Sequence, residues 1–343
     1  MNSFGRIFRI TIFGESHGES VGISIDGCPA GLPLSGDDLL PDLERRKGGM
    51  QKGTTPRKED DLPLFKSGVF NNMTTGAPLT ILFDNKNTRS GDYEKQRAVP
   101  RPGHADFVAH RKFGGFEDFR GGGHFSGRLT VALVAAGAIA KKLLARVGPA
   151  GPGESRHEIR VDATILEIGG ESDIEKGIQR AIDAKDTIGG IVECRVSGLP
   201  VGLGEPFFDS VESVLSHAVF AIPAIRGIEF GTGFAAARMF GSDHNDAIDN
   251  LAGKTRTNHA GGVVGGISNG NELVFRIAVK PTSSTPKEQE TLNWETGEVE
   301  PFSVKGRHDL CIALRVPVVL EAVTAVVLAD LLLLEQLIPR ILR

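Results

Sequence analysis

Glycine constrains this chain more than any other residue. It fills 44 of 343 positions, about one in eight against a usual ~7%, and it is scattered in ones, twos and threes rather than gathered in a low-complexity tract. Glycine used in this way marks backbone positions that need positive φ or close approach to another group. Short β-rich runs lie between these points: RIFRITIF (6–13), VGISID (21–26), LTILFD (79–84), GGIVECRVSG (189–198) and ELVFRIAVK (272–280). Gly, Pro and Asn punctuate them. Four stretches read as helices. The first ends at Arg46 and takes Ser35, Asp37 or Asp38 as its cap, with Pro41 tolerated near the first turn. The second runs from Leu129 to Val147, with Lys141, Lys142 and Arg146 matched to the macrodipole at its end. The others span Asp209 to Ala221 and Pro317 to Ile338. Glu321, Asp330 and Glu335 interrupt this last apolar segment, which predicts a buried helix rather than a membrane span. Strands and helices do not alternate regularly, so the expected class is α+β, folded as one domain over 1–343, not a doubly wound sheet. The stretches 148–158 and 284–303 read as a breaker-rich connection and a polar loop.

The balance of the chain excludes some functions. A net charge of -4 with 24% charged residues disfavours a strongly basic nucleic-acid binder. Cys28, Cys194 and Cys311 are odd in number and far apart, which fits neither a disulfide framework nor a zinc pattern. The first eighteen residues lack the apolar core of a signal peptide. A reducing cytoplasm is the expected location, and no metal site is expected.

Against this acidic background, residues 44–58 carry Arg45, Arg46, Lys47, Lys52, Arg57 and Lys58 beside a single Glu. Cations and exposed N–H groups in a glycine-rich loop suit phosphate or carboxylate capture. The same loop also reads as a solvated basic segment balanced by Glu59, Asp60 and Asp61. Gly48 and Gly53 mimic the P-loop spacing, but Thr54 stands where that motif needs Lys. GTGFAA (231–236) matches a dinucleotide fingerprint, yet no long helix pattern follows it.

Four histidines sit in glycine-rich or charged turns: His17, His104, His124 and His308. Such placement lets a ring reach a ligand and exchange protons near neutral pH, although a structural turn histidine has the same signature. Lys280 with Thr282, Ser283 and Ser284 forms a cation-plus-hydroxyl cluster that suits a terminal phosphate, or a capped turn after a strand.

The order and spacing of FGESHG, DLERRKGG, SGVFNNMTTGAP, PRPGHAD, RGGGHFSGR, VAAGAIAKK, DTIGG, GLGEPFFD, NHAGGVVGGISNG, KPTSS and GRHD resemble the chorismate synthase family over nearly the whole length. The resemblance implies an α+β sandwich with helices between antiparallel sheets, assembled as a homotetramer. It implies anti-1,4-elimination of phosphate from 5-enolpyruvylshikimate 3-phosphate to give chorismate, with reduced FMN required and no net redox change. In that picture the flavin lends electron density and its N5 receives the C6 proton. By resemblance, His17 protonates the leaving phosphate, and His104 balances the reduced flavin near N1. Asp309 assists N5, and Ser16 and Ser126 act as relays. Flavin contacts carried over by position are His124, Phe125, Ser126, Pro223, Ala224, Gly265, Lys280, Pro281, Thr282, Ser283, Ser284 and Arg307. The substrate's two carboxylates and phosphate, or NADP, would meet Arg46, Lys52, Arg128 and Arg307.

This chain departs from the family where GGGRSSARET is common: His124 replaces Arg, Phe125 replaces Ser, Gly127 replaces Ala and Leu129 replaces Glu. With no flavin-reductase domain visible, NADPH would act through an external reductase. Two other classes remain open at this point. One is a flavin or nicotinamide oxidoreductase, and the other is a polyanion-binding module built on residues 45–58.

Overall fold

The computed structural model describes residues 2–49, 52–55, 59–87, 97–147, 158–304 and 308–342. In chain order the elements are β1 (Ser3–Phe4), β2 (Arg9–Gly14), β3 (Ser20–Asp26), α1 (Leu40–Arg46), β4 (Leu64–Ser67), β5 (Val69–Phe70), β6 (Met73–Thr74) and β7 (Leu79–Asp84). Then come α2 (Asp106–Phe113), α3 (Thr130–Leu144), β8 (Arg160–Ile168), α4 (Ile174–Ala184), β9 (Gly190–Ser197), α5 (Val211–Val219), β10 (Ile225–Phe230) and α6 (Gly241–His244). The chain closes with β11 (Val263–Val264), β12 (Ile267–Ser268), β13 (Leu273–Val279), β14 (Gln289–Leu292), β15 (Val299–Phe302) and α7 (Val316–Leu334).

Two antiparallel sheets form the outer layers, with strand orders β1-β2-β3-β7-β4 and β10-β13-β9-β8. Helix α3 packs on the first sheet, α7 packs on the second, and the two helices pack on each other. This is the α+β class read from the residues, in the sandwich arrangement that the family resemblance implies. Burial explains it. Each sheet turns one row of Val, Ile and Leu inward, as in the alternating pattern of β7, and that row needs an apolar partner. Helix α7 is apolar on all sides and so cannot lie on a surface. One described helical stretch, Ile312–Leu334, is long and apolar enough to cross a membrane, and 94% of its most apolar 18-residue window is buried inside the fold. Close contact of α3 with α7 depends on Gly137, because a Cβ there would lie 2.2 Å from Ala322.

The charges within the last helix are compensated. Glu321 accepts a two-pronged contact from Arg45 at 2.7 and 2.6 Å and another from Lys141 at 2.8 Å. Burial pulls its carboxyl upward, but Arg45 and Lys141 outweigh that and hold it below the ordinary value.

Three sequence expectations need correction. The 284–303 segment is not a loop throughout, since β14 and β15 pair as a hairpin whose turn is closed by the Asn293 amide on the Glu298 carbonyl at 2.9 Å. Its polar residues alternate on a half-exposed ribbon, which composition alone does not separate from a loop. The first helix starts later than the proposed caps: Ser35 and Asp38 bond each other around a 3₁₀ turn, and α1 follows from Leu40. Helices α2 and α4 and strand β8 were not anticipated. The connection expected at 148–158 lies outside the described residues, apart from Glu158. GTGFAA runs into a 3₁₀ turn, Gly233–Arg238, followed by the four-residue α6 rather than a long helix, and β10 before it pairs antiparallel with β13.

Candidate active site

One end of the sandwich holds a cavity of about 900 Å³. Its floor is apolar, with Ile10 and Ile12 from β2, Leu133 from α3, Ile222, and Val319 and Val323 from α7. Its rim is polar and comes from separate turns: 14–18, 46–48, 101–105, 121–130, 280–284 and 308–315.

The glycine turns explain how two histidines reach it. Gly121, Gly122 and Gly123 follow one another with φ of 61°, 81° and 52°. A Cβ on Gly121 would stand 2.6 Å from His17 Nε2, and one on Gly122 would stand 3.4 Å from His104 Nε2. Gly121 and Gly122 thus stand against the two rings, while Gly123 turns onto the Asp118 carbonyl. The same loop is pinned by the Ser16 amide on the Gly123 carbonyl at 3.1 Å.

His104 is oriented by a carboxylate. Its Nδ1 lies 2.5 Å from Asp106 Oδ1 and 3.0 Å from Arg101 NH2. Nδ1 cannot donate to one and accept from the other at once. The shorter contact, to a carboxylate oxygen that can only accept, fixes the proton on Nδ1, and the Cε1–Nε2 edge of the ring passes Gly122. Arg101 also clasps Asp106 through Nε at 2.7 Å and NH2 at 2.8 Å, and reaches Ser284 Oγ at 3.2 Å. Burial works against the Asp106 charge, but Arg101 and His104 hold its carboxyl far below the ordinary value. Asp106→Asn is therefore expected to lower kcat about tenfold with little change in KM, the usual size for losing an orienting partner. Adding it to His104→Ala should cost nothing further. An additive double variant would show that Asp106 acts elsewhere.

The cationic side of the cavity is built on α1 and the 126–130 turn. Ser126 caps that turn by accepting from the Arg128 amide at 3.3 Å. Arg46 and Arg128 are 3% and 7% exposed, and both donate to the buried carboxylate of Asp61. Burial chiefly, then Arg315 and Arg128, push the Arg46 guanidinium down to about 10, while Asp61 opposes the shift. Asp309 receives the Thr55 amide at 2.8 Å and Arg315 NH1 at 3.1 Å, so its carboxylate is fixed from two sides. Arg315 also donates from Nε to the Arg46 carbonyl at 2.9 Å.

At the opposite rim, Lys280 Nζ donates to the Gly103 carbonyl at 3.1 Å and to Ser283 Oγ at 2.7 Å. Burial and nearby Arg226 push its ammonium below the ordinary value. Thr282 Oγ1 is buried with no hydrogen-bond partner among the described residues. An ammonium whose partners are neutral oxygens, beside an unpaired hydroxyl, fits a phosphate group.

Most of the sequence-predicted site residues converge here. His17, His104, Asp309, Ser126, His124, Phe125, Pro223, Ala224, Lys280 to Ser284, Arg46 and Arg128 all line the cavity, as does His308. Ser16 is buried behind His17, off the wall. Lys52 points elsewhere: Gly53 is tied to Leu310 and Cys311, and the Lys52 ammonium lies on Gln179 of α4 at 2.7 Å. Gly265 lies in the β11–β12 turn, away from the cavity. Arg307 lies outside the described residues, as do Arg57 and Lys58. His124 is engaged through both nitrogens, with Gly14 O at 2.8 Å and Asn2 Oδ1 at 3.1 Å, so it ties the loop to β2 as well as facing the cavity. Sequence reasoning missed Asp61, Arg101, Asp106 and Arg315. Only Asp106, two residues after a turn histidine, carried a readable signal.

Comparison with known proteins shows the family of the chain. The family model of chorismate synthase matches residues 8–333. A chorismate synthase of Chitinophaga pinensis is 72% identical over 336 residues, covering 98% of each chain. One from Methanocaldococcus jannaschii is 41% identical over 365 residues, covering 97% of this chain and 96% of its own. A crystal structure of chorismate synthase superposes with a TM-score of 0.70 at 26% identity, over 96% of this chain and 93% of that one.

Proposed function

The chain belongs to the chorismate synthase family, and from that premise we propose that it is a lyase converting 5-enolpyruvylshikimate 3-phosphate to chorismate and phosphate. The observation that carries the reading is convergence. Two turn histidines, a clamped carboxylate, buried guanidiniums and a phosphate-suited Lys280–Ser284 turn face one cavity large enough for a flavin and a small ring together. Reduced FMN, when bound, supplies electron density to the reacting ring and accepts its proton, with no net redox change.

The chain's residues fit that group. The apolar floor suits an aromatic ring system, while Lys280, Thr282, Ser283 and Ser284 suit its phosphate. Arg46 and Arg128 bind and orient the substrate's anionic groups. His17, against the Gly121 wall, gives a proton to the leaving phosphate oxygen as the C–O bond breaks. His104, held by Asp106, presents Nε2 to the cofactor side and balances charge there. Asp309 is kept in place by the Thr55 amide and Arg315 to assist removal of the C6 proton. Each such acid–base contribution is worth ~10²–10⁴ in rate.

The test is an anaerobic assay with photoreduced FMN and the enolpyruvyl substrate. Phosphate and chorismate should appear in equal amounts over many turnovers, with reduced FMN unspent. Stoichiometric loss of reduced FMN would favour the oxidoreductase reading, and no phosphate release would sink the proposal. The same reading extends to a cytoplasmic homotetramer whose FMN is reduced by a separate NADPH-dependent enzyme. Phe207 and Phe208, 87% and 92% exposed, support assembly, since aromatic rings left in water mark contact surfaces. Three buried free thiols accord with a reducing compartment.

A further inference from the structure

Asp61 stands out among the cavity's charges. It follows the basic loop as the last of three consecutive acidic residues, and in sequence it reads as surface balance for that loop. In the fold it is 3% exposed and lines the cavity. Its backbone is held at φ 51°, a conformation that side-chain-bearing residues rarely adopt. Strain of this kind persists only where the surroundings fix it, and it gathers at functional positions.

What fixes Asp61 is a pair of guanidiniums. Oδ2 accepts from Arg46 NH2 at 2.6 Å and Oδ1 accepts from Arg128 NH1. Arg128 is further tied by Nε to Asn85 Oδ1 at 2.9 Å and by NH2 to the Asp84 carbonyl at 3.3 Å. Arg46 is less completely used. NH1 has only a long contact to Thr130 Oγ1 at 3.4 Å, and Nε is buried with no partner among the described residues. A third guanidinium, Arg315, adds its positive field to Arg46. One carboxylate therefore bridges two cations that both line the cavity, and the donors of Arg46 are not all used.

We propose that Asp61 is a resident counter-ion: it holds Arg46 and Arg128 in a ligand-ready arrangement, and it shares them with the ligand's anionic group. The ligand class, a phosphate- and carboxylate-bearing ring, comes from the reading above. The shared-donor arrangement stands on the ion pairs themselves.

A counter-ion of this kind has two opposed effects. It lets buried guanidiniums exist without a ligand, which favours the free protein. It also repels the incoming anion and lowers affinity, so that bound product can leave. A residue with a purely structural role has one effect, because its loss weakens folding and binding together.

The sign of the affinity change separates the two. Asp61→Asn keeps the shape and removes the charge. With inorganic phosphate as probe and calorimetry or thermal shift as readout, its Kd for phosphate should tighten by about tenfold, the size expected for a unit charge several ångströms away at an effective dielectric of ~20–40. Its kcat should fall because the guanidiniums lose their fixed positions. Equal or weaker phosphate binding by the folded variant overturns the proposal.

If Asp61→Asn fails to fold, Asp61→Asn/Arg128→Gln removes one charge of each sign and is compared with Arg128→Gln alone. The double variant should bind phosphate about tenfold more tightly than the single by the same charge argument, and equal or weaker binding overturns the proposal. Phosphate binding needs neither flavin nor turnover, so this result stands apart from the wild-type elimination assay that tests the activity itself.

Discussion

Gly121→Ala should lose about 10²-fold in turnover while remaining folded and able to bind FMN. The new methyl group would stand 2.5 Å from His17 Cδ2, 2.6 Å from its Nε2 and 3.1 Å from Ser16 Oγ. The two contacts to His17 are too short to persist and the one to Ser16 is tight, and the imidazole is the part that can swing. His17 is 8% exposed, so the ring has little room except toward the cavity. A displacement near 1 Å at a reacting group is enough for a loss of ~10².

The backbone adds a separate cost, since φ is 61° at this position and an L-residue there is strained by about 1–2 kcal/mol. Gly170→Ala isolates that component. Its φ is 84° and nothing lies within 4 Å of the added Cβ, so it should lose stability to a similar extent and keep full turnover. If Gly121→Ala and Gly170→Ala turn over equally well, His17 does not occupy the reacting position assigned to it.

The contrast between these glycines shows what a sequence exposes and what it hides. GESHG and GGGHFSGR advertise turns with histidines in them, because glycine clustered around a titratable ring weakens a helix or a strand and favours a tight turn. That the first glycine of one motif stands against the histidine of another is a tertiary fact. No spacing within either motif encodes it. Asp61 was less legible still. Glu59, Asp60 and Asp61 look alike in sequence, yet only the last is fully buried, where desolvation pulls its carboxyl upward and Arg46 with Arg128 outweigh that and hold it low. Arg315 lies at the head of an apolar helix and offers no local pattern at all.

The same division runs through the fold. β3, β7 and β13 were readable because their apolar runs are long and their ends are marked by Gly, Pro or Asn. β8 was not, because a register shift between Ile165 and Glu167 breaks its alternation midway. In α4 the buried face includes Gly177, which would read as a helix breaker. It is required there because a Cβ would fall 2.4 Å from the Ile168 carbonyl oxygen. Lys52 went astray for a related reason. A basic residue in a glycine loop can face either way, and the Gly53 carbonyl bonds to the Leu310 and Cys311 amides turn this one toward α4. Local pattern gives periodicity and charge. Which face closes on which neighbour is set by packing.

Asp330→Ala should be the most destabilising single change at a polar position, by about 4 kcal/mol. Asp330 lies near the end of α7 and is 3% exposed. Oδ1 accepts the Ile7 and Phe8 amides at 2.7 and 2.8 Å, and Oδ2 accepts the Arg6 amide at 2.9 Å. These three N–H groups belong to the turn between β1 and β2. One carboxylate therefore closes a turn that strand pairing leaves open. Removing it leaves three donors without partners, each costing ~1–3 kcal/mol when water cannot replace the bond.

Asp330→Asn should lose about half as much, since its carbonyl still serves two of the amides and its NH2 confronts the third. Urea titration would read both values as a shift in midpoint at constant slope. The damage should reach the cavity, because Phe4, Ile10 and Ile12 on either side of the turn help to line it. FMN affinity of the surviving folded fraction should fall with stability in the order wild type, Asn, Ala. An Asp330→Ala protein within ~1 kcal/mol of wild type would mean that the turn finds other acceptors, and that the last helix is held to the first sheet by apolar contact alone.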